Sequence, residues 1–169
     1  FGENRVQEAI SKWEVVKSNR KDLKIHLLGP LQTNKVKKVF SLFDYIHSLD
    51  RLSLAEKLSR EAQERGYCPK LFVQVNTGKE EQKSGVFPEN LREFISLSKK
   101  TYELDIVGLM CIPPINEKPE KHFSLLRDLA KVNGLKELSM GMSADYKIAI
   151  KYDSTFIRVG TAIFGEREK

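Results

Sequence analysis

Long apolar runs are missing from this sequence. No stretch approaches membrane-spanning length, and no short apolar segment near the start could act as a signal peptide. Cysteine is scarce. Cys68 and Cys111 have no metal-ligand spacing, and without a secretory signal they read as reduced thiols of a cytoplasmic protein. His26, His47 and His122 lie far apart and lack zinc spacing, which argues against a metal site and metal-assisted hydrolysis. No G-x-G-x-x-G occurs anywhere, no internal repeat or low-complexity segment is visible, and no linker rich in Pro, Gly or Ser divides the chain.

What is present fits one soluble α/β domain. The 169 residues could bury a sizeable core, and 40% hydrophobic with 31% charged residues is ordinary for a globular protein. The net charge of +6 invites a nucleic-acid reading. The densest basic stretch, Lys35-Val36-Lys37-Lys38, has no interleaved aromatics, and the remaining charges are mixed in sign. It reads as a solvated helix face; neither nucleic acid nor membrane is expected as a partner.

Apolar spacing predicts an alternating series. Val6, Ala9, Ile10, Trp13 and Val16 mark a first helix, with Asn4 and Gln7 resembling a capping box. Strands are expected at 23–29, 44–49, 70–76, 104–112, 136–140 and 155–159. Between them, helices are expected around 33–40, from a Ser53–Glu56 capping box to Gly66, and along Leu91, Phe94, Ile95 and Ser98. Two more follow Phe123, Leu126, Leu129 and Ala130, and residues 145–151. Strand starts recur roughly every 20–35 residues with no hairpin signal, the size of a strand–helix unit.

Strict alternation allows an open doubly wound sheet or a barrel. An open sheet calls for a glycine-rich turn after its first strand, which is missing, so a (β/α)8 TIM-type barrel is favoured. Phe1-Gly2-Glu3-Asn4 reads as the end of a strand entering a helix. The expectation is therefore one partial barrel domain over residues 1–169, incomplete at its N-terminus, with the first strand and most of the second missing.

Functional groups of such barrels gather at the C-terminal strand ends. Those ends carry Asn4, His26 with Gly29, His47, Asn76, Met110, Ser139 to Ser143, and Arg158 to Thr161. They hold no acidic pair for general acid–base work and no Ser–His–Asp order, so no catalytic residue is assigned. Two apolar runs end one after the other in Ser139-Met140-Gly141-Met142-Ser143 and Arg158-Val159-Gly160-Thr161. Glycine lets backbone approach a ligand, and Ser or Thr adds a hydroxyl donor, which suits a phosphate beside a flat ring. Blander roles compete: Asn4 and Ser143 as helix caps, Gly160 as a turn, His26 and His47 as satisfied barrel histidines. Arg158 in Phe156-Ile157-Arg158-Val159 is harder to dismiss, because a buried cation needs a partner.

Several segments together resemble the pyridoxal phosphate homeostasis protein family, which is similar to the N-terminal barrel of alanine racemase (fold type III). They are Phe1-Gly2-Glu3-Asn4 with Val6-Gln7-Glu8, His26 to Lys35, Ile46-His47-Ser48-Leu49-Asp50, Gln74-Val75-Asn76 with Lys83-Ser84-Gly85, and Gly108-Leu109-Met110. The Ser139–Ser143 and Arg158–Gly165 runs complete the series, in order and over essentially the whole chain.

The resemblance implies a pyridoxal 5′-phosphate site. Ser143, Gly160 and Thr161 would hold the phosphate, Arg158 would face the pyridine nitrogen, and Asn4 and His26 would line the ring side. It implies a non-enzymatic carrier or regulator of intracellular vitamin B6; the alternative is a fragment of a racemase or decarboxylase of the same fold. The family's Schiff-base lysine lies on the first strand, in a Ser-Lys-Thr-Lys-Pro type segment that these residues do not contain. Lys35 and Lys83 match other family motifs.

Overall fold

The computed structural model describes residues 1–165. Seven parallel strands lie side by side in chain order: β1 (Gly2–Glu3), β2 (His26–Leu27), β3 (Tyr45–Leu49), β4 (Lys70–Gln74), β5 (Ile106–Met110), β6 (Glu137–Met142) and β7 (Phe156–Arg158). The connecting helices are α1 (Val6–Asn19), α2 (Val36–Phe40), α3 (Leu52–Arg65), α4 (Leu91–Lys100), α5 (Pro119–Val132) and α6 (Tyr146–Lys151), and α7 (Thr161–Phe164) follows β7. Parallel neighbours require such crossovers, so the alternation read from the sequence becomes a sheet clothed by helices.

The sheet curls on itself. The Phe156 ring of β7 lies 5.5 Å from His26 of β2 and 5.6 Å from Tyr45 of β3, although several strands separate them within the sheet. Nδ1 of His47 on β3 meets Oγ of Ser139 on β6 at 2.8 Å. Only a barrel brings these faces together. Side chains alternate along each strand: Tyr45, His47 and Phe72 point inward, whereas Leu27, Ile46, Leu71, Val73 and Leu109 join the core under the helices.

Helix faces follow the predicted spacing. Leu54, Ala55 and Leu58 of α3, Leu91, Phe94 and Ile95 of α4, and Phe123, Leu126 and Ala130 of α5 are buried. No described helix is long and apolar enough to cross a membrane.

The capping boxes do not form. The N-caps are Arg5 and Arg51, both extended, and neither Asn4 nor Ser53 supplies a side-chain cap. Each helix starts at an apolar residue, Val6 or Leu52, so the expected capping residues lie off the cap position. Gly66 ends α3 in the left-handed region, as the pattern indicates. The helix expected at 33–40 opens as a 3-10 turn, Thr33–Lys35, before α2. Most strands are shorter than the apolar runs, above all β2, because those runs extend past the strand pairing into buried connecting loops, whereas β6 runs on to Met142, beyond its expected end.

At the N-terminal end of the barrel Asp44 ties α1 to the sheet, accepting from Lys17 at 2.8 Å and from the Ile25 amide at 2.9 Å. Burial opposes its ionisation, but these bonds and the nearby lysines hold the carboxyl below its ordinary value. One turn earlier on α1, the Trp13 indole donates to Glu3 Oε1 at 2.5 Å and packs on Phe1 with 4.7 Å between ring centres.

Candidate functional site

Two features meet at the C-terminal ends of β6 and β7. The first is a cluster of donors around Ser143, just beyond β6. Its Oγ accepts from the Gly160 amide at 3.3 Å and from the Ala162 amide at 3.5 Å. Both distances lie at the long end of the range, so a stronger acceptor could take these donors. A Cβ placed on Gly160 would find nothing within 4 Å, so the corner beside its amide is open. Thr161 is exposed next to it. The chain reaches this position because Gly141, at φ +92°, lets β6 pass under α6; a Cβ there would sit 2.6 Å from Ala149 Cβ.

The second is the guanidinium of Arg158, at the end of β7. It points into the barrel, with Nη1 donating to Ser139 Oγ and Nη2 to the Cys111 carbonyl, each at 2.8 Å. No carboxylate lies within ion-pair distance of it among the described residues. Burial lowers its pKa, opposed by Cys111 and Asp145, yet an arginine remains a cation at any working pH. A partly desolvated cation held by two neutral acceptors, with guanidinium N–H groups to spare, suits an electron-rich atom of a ligand.

Below Arg158 the interior is aromatic and histidine-rich. Ser139 Oγ meets His47 Nδ1 at 2.8 Å, and His47 Nε2 meets His26 Nδ1 at 3.0 Å. His47 stacks on Phe72 with 4.3 Å between centres, and His26 stacks on Tyr45 at the same spacing. Burial first, then His26 and Arg158, push the His47 pKa down to about 3. Burial takes His26 down to about 4 against the pull of Asp44. Both imidazoles are neutral at pH 7.

The sequence-predicted residues divide accordingly. Ser143 and Gly160 are in hydrogen-bond contact, Thr161 is adjacent, and Arg158 leads into the same turn. His26 reaches Arg158 only through His47 and Ser139. Asn4 is exposed just after β1, and its backbone is packed against Gly29, where a Cβ would come within 2.1 Å of the Asn4 carbonyl oxygen. Sequence reasoning missed the Ala162 amide, the Cys111 carbonyl and the pairing of Ser139 with Arg158. Two of these are backbone groups without a residue signature. Ser139 carried a signal in its place on the run ending at Ser143.

Known proteins resemble this chain along nearly all of its length. A family model described as alanine racemase, N-terminal domain, matches residues 1–168. The pyridoxal phosphate homeostasis protein of Aquifex aeolicus is 42% identical over 177 residues, covering 99% of this chain and 77% of its own length. That of Synechocystis is 41% identical over 176 residues, covering 99% and 80%. Among solved structures, PipY of Synechococcus elongatus with PLP bound superposes with a TM-score of 0.85 at 41% identity, covering 98% of this chain and 81% of PipY. Alanine racemase of Clostridium difficile, 17% identical, shares the fold with a TM-score of 0.77 over 99% of this chain and 45% of its own.

Proposed function

This chain belongs to the pyridoxal phosphate homeostasis proteins, within the alanine racemase N-terminal-domain family, and on that footing we propose that it holds pyridoxal 5′-phosphate as a non-catalytic carrier or regulator in the cytoplasm. The observation that carries the reading is the pairing, on two successive strand ends, of loosely engaged donors at Ser143, Gly160 and Ala162 with a carboxylate-free Arg158. Such a pair matches an anion at one end of a ligand and a ring nitrogen at the other.

Within this reading Ser143, the Gly160 amide and Thr161 hold the phosphate, and Arg158 faces the pyridine nitrogen. Asn4 lines the ring side, and His26 bears on it from below, through His47 and Ser139. The bound group supplies an aldehyde and an electron-withdrawing ring. A permanent cation at the nitrogen keeps that nitrogen unprotonated, which weakens the ring as an electron sink and disfavours carbanion chemistry. The interior histidines are neutral and engaged with one another and with Ser139, which supports holding rather than proton transfer. Free thiols at Cys68 and Cys111 support the cytoplasmic setting.

No lysine occupies the C-terminal end of a described strand; Lys70 begins β4. Borohydride reduction of this chain with pyridoxal 5′-phosphate is therefore expected to leave no stoichiometric adduct by mass. Equilibrium dialysis should show saturable retention of the phosphate ester, and much weaker retention of pyridoxal. Arg158→Ala and Thr161→Ala should each weaken retention by roughly 1–3 kcal/mol, the loss of a charge-assisted contact. Unchanged affinity in both would sink the site assignment, and amino-acid racemisation above background would sink the non-catalytic reading.

A further inference from the structure

Arg158 is the head of a hydrogen-bonded chain through the barrel interior, Arg158–Ser139–His47–His26, built from four different strands. The hydrogens of that chain can be assigned in order. Arg158 donates to Ser139 Oγ. The Ser139 hydroxyl hydrogen then goes to its other partner, His47 Nδ1, which must be bare to accept it. The His47 proton therefore sits on Nε2 and is donated to His26 Nδ1. The opposite assignment leaves the Ser139 hydroxyl hydrogen with no acceptor in a buried position, a costly outcome.

We propose that His47 is a positioning residue for Arg158: by accepting from Ser139 it fixes the serine lone pair on the guanidinium, and so sets the direction in which the remaining guanidinium hydrogens meet the ligand ring. This rests on the reading that Arg158 faces that ring. His47 itself touches no ligand. Its ring is fixed by the stack on Phe72, and it is buried, so its tautomer is set by its two partners rather than by solvent.

The arrangement requires a neutral His47. A proton on Nδ1 would compete with Arg158 for the serine oxygen and place a second cation in the same space. The charged and titratable groups bearing on the chain are consistent with neutrality. His26 and Arg158 act directly on His47; Asp44 acts on His26; Asp145 acts on Arg158.

The test is a set of substitutions read by dialysis against pyridoxal 5′-phosphate. Ser139→Ala and His47→Phe should each weaken retention roughly 3–10-fold, the size of one lost hydrogen bond. Phe keeps the stack on Phe72, and His47→Asn, which can still accept from Ser139, should recover most of the loss. The double variant Ser139→Ala/His47→Phe should bind like Ser139→Ala alone, because His47 acts through the serine. Multiplying losses, or wild-type retention by His47→Phe, would overturn the proposal.

Arg158→Ala separates the two levels. If it weakens retention while His47→Phe does not, the relay fails and the pocket stands. If Arg158→Ala is silent, both fall. Should His47→Phe not fold, nitrogen-15 NMR of the unsubstituted protein decides. The Nε2–H tautomer at His47, with no titration between pH 7.5 and 5, supports the relay; the Nδ1–H tautomer or a protonation step in that range overturns it.

Discussion

At the residue scale, the site is a contrast between donors that are loosely used and side chains that are committed. Gly160 shows the first. Its φ of −115° suits any residue, and a Cβ there meets nothing. Gly160→Ala should leave stability within about 0.5 kcal/mol in a urea titration. On the proposed reading, the methyl group would nevertheless crowd the corner offered to the phosphate and weaken pyridoxal 5′-phosphate retention by roughly 1–3 kcal/mol in dialysis. Loss of stability without loss of retention would show the corner to be structural. The thiols show the second condition. Burial pushes Cys68 and Cys111 up to about 12, so iodoacetamide at pH 8 should label neither by mass until urea is added; rapid native labelling would contradict their inert setting. That Ser143, Gly160 and Thr161 would lie together was legible, because they stand in two short runs on successive strands. The contact of His47 with Ser139 was not: 92 residues separate them, and they meet only through the closure of the barrel.

At the element scale, helices were legible where one face repeats and poorly legible at their ends. The buried stripes of α3, α4 and α5 fall on the apolar positions that the spacing marks. Their starts depend on whether a capping side chain lands on the turn, which spacing alone does not decide. Most strand lengths were overestimated because parallel strands and buried loops are equally apolar, although β6 runs past its expected end. The junction of β6 with α6 makes its own prediction. Gly141→Ala would combine a positive φ with a methyl 2.6 Å from Ala149 Cβ and 3.0 Å from Tyr146 Cα. A loss of roughly 1–3 kcal/mol in urea midpoint analysis is expected. A neutral result would mean that α6 can move away from the strand without cost.

At the scale of the whole molecule, two buried histidines couple stability to acid. Unfolded histidine takes up a proton near pH 6.5, whereas folded His26 and His47 do so only near 4 and 3. Between those limits the unfolded chain binds more protons, so stability falls as pH drops below about 6.5 and is unaffected above it. The slope should reach at most about 1.4 kcal/mol per pH unit for each histidine, and His47→Phe should remove its share. Urea titrations from pH 7.5 to 4.5 measure it; a flat profile would mean that these rings are not kept neutral. Asp44 works in a lower window, its contribution disappearing as pH falls through the ordinary carboxylate range and below. Hydrogen exchange should follow the strand order. Amides of β3, β4 and β5, each flanked on both sides, should outlast those of β1 and β7.

The corner where Trp13 meets Glu3 and Phe1 has a practical corollary. It is the sole tryptophan of the chain, partly shielded and with its indole N–H engaged by a carboxylate. Its emission should therefore redden and brighten or dim as soon as that corner loosens. Because the vitamin absorbs at longer wavelengths, one cuvette would give two separate optical reports: the integrity of β1 in the ultraviolet, and occupancy of the proposed pocket in the visible.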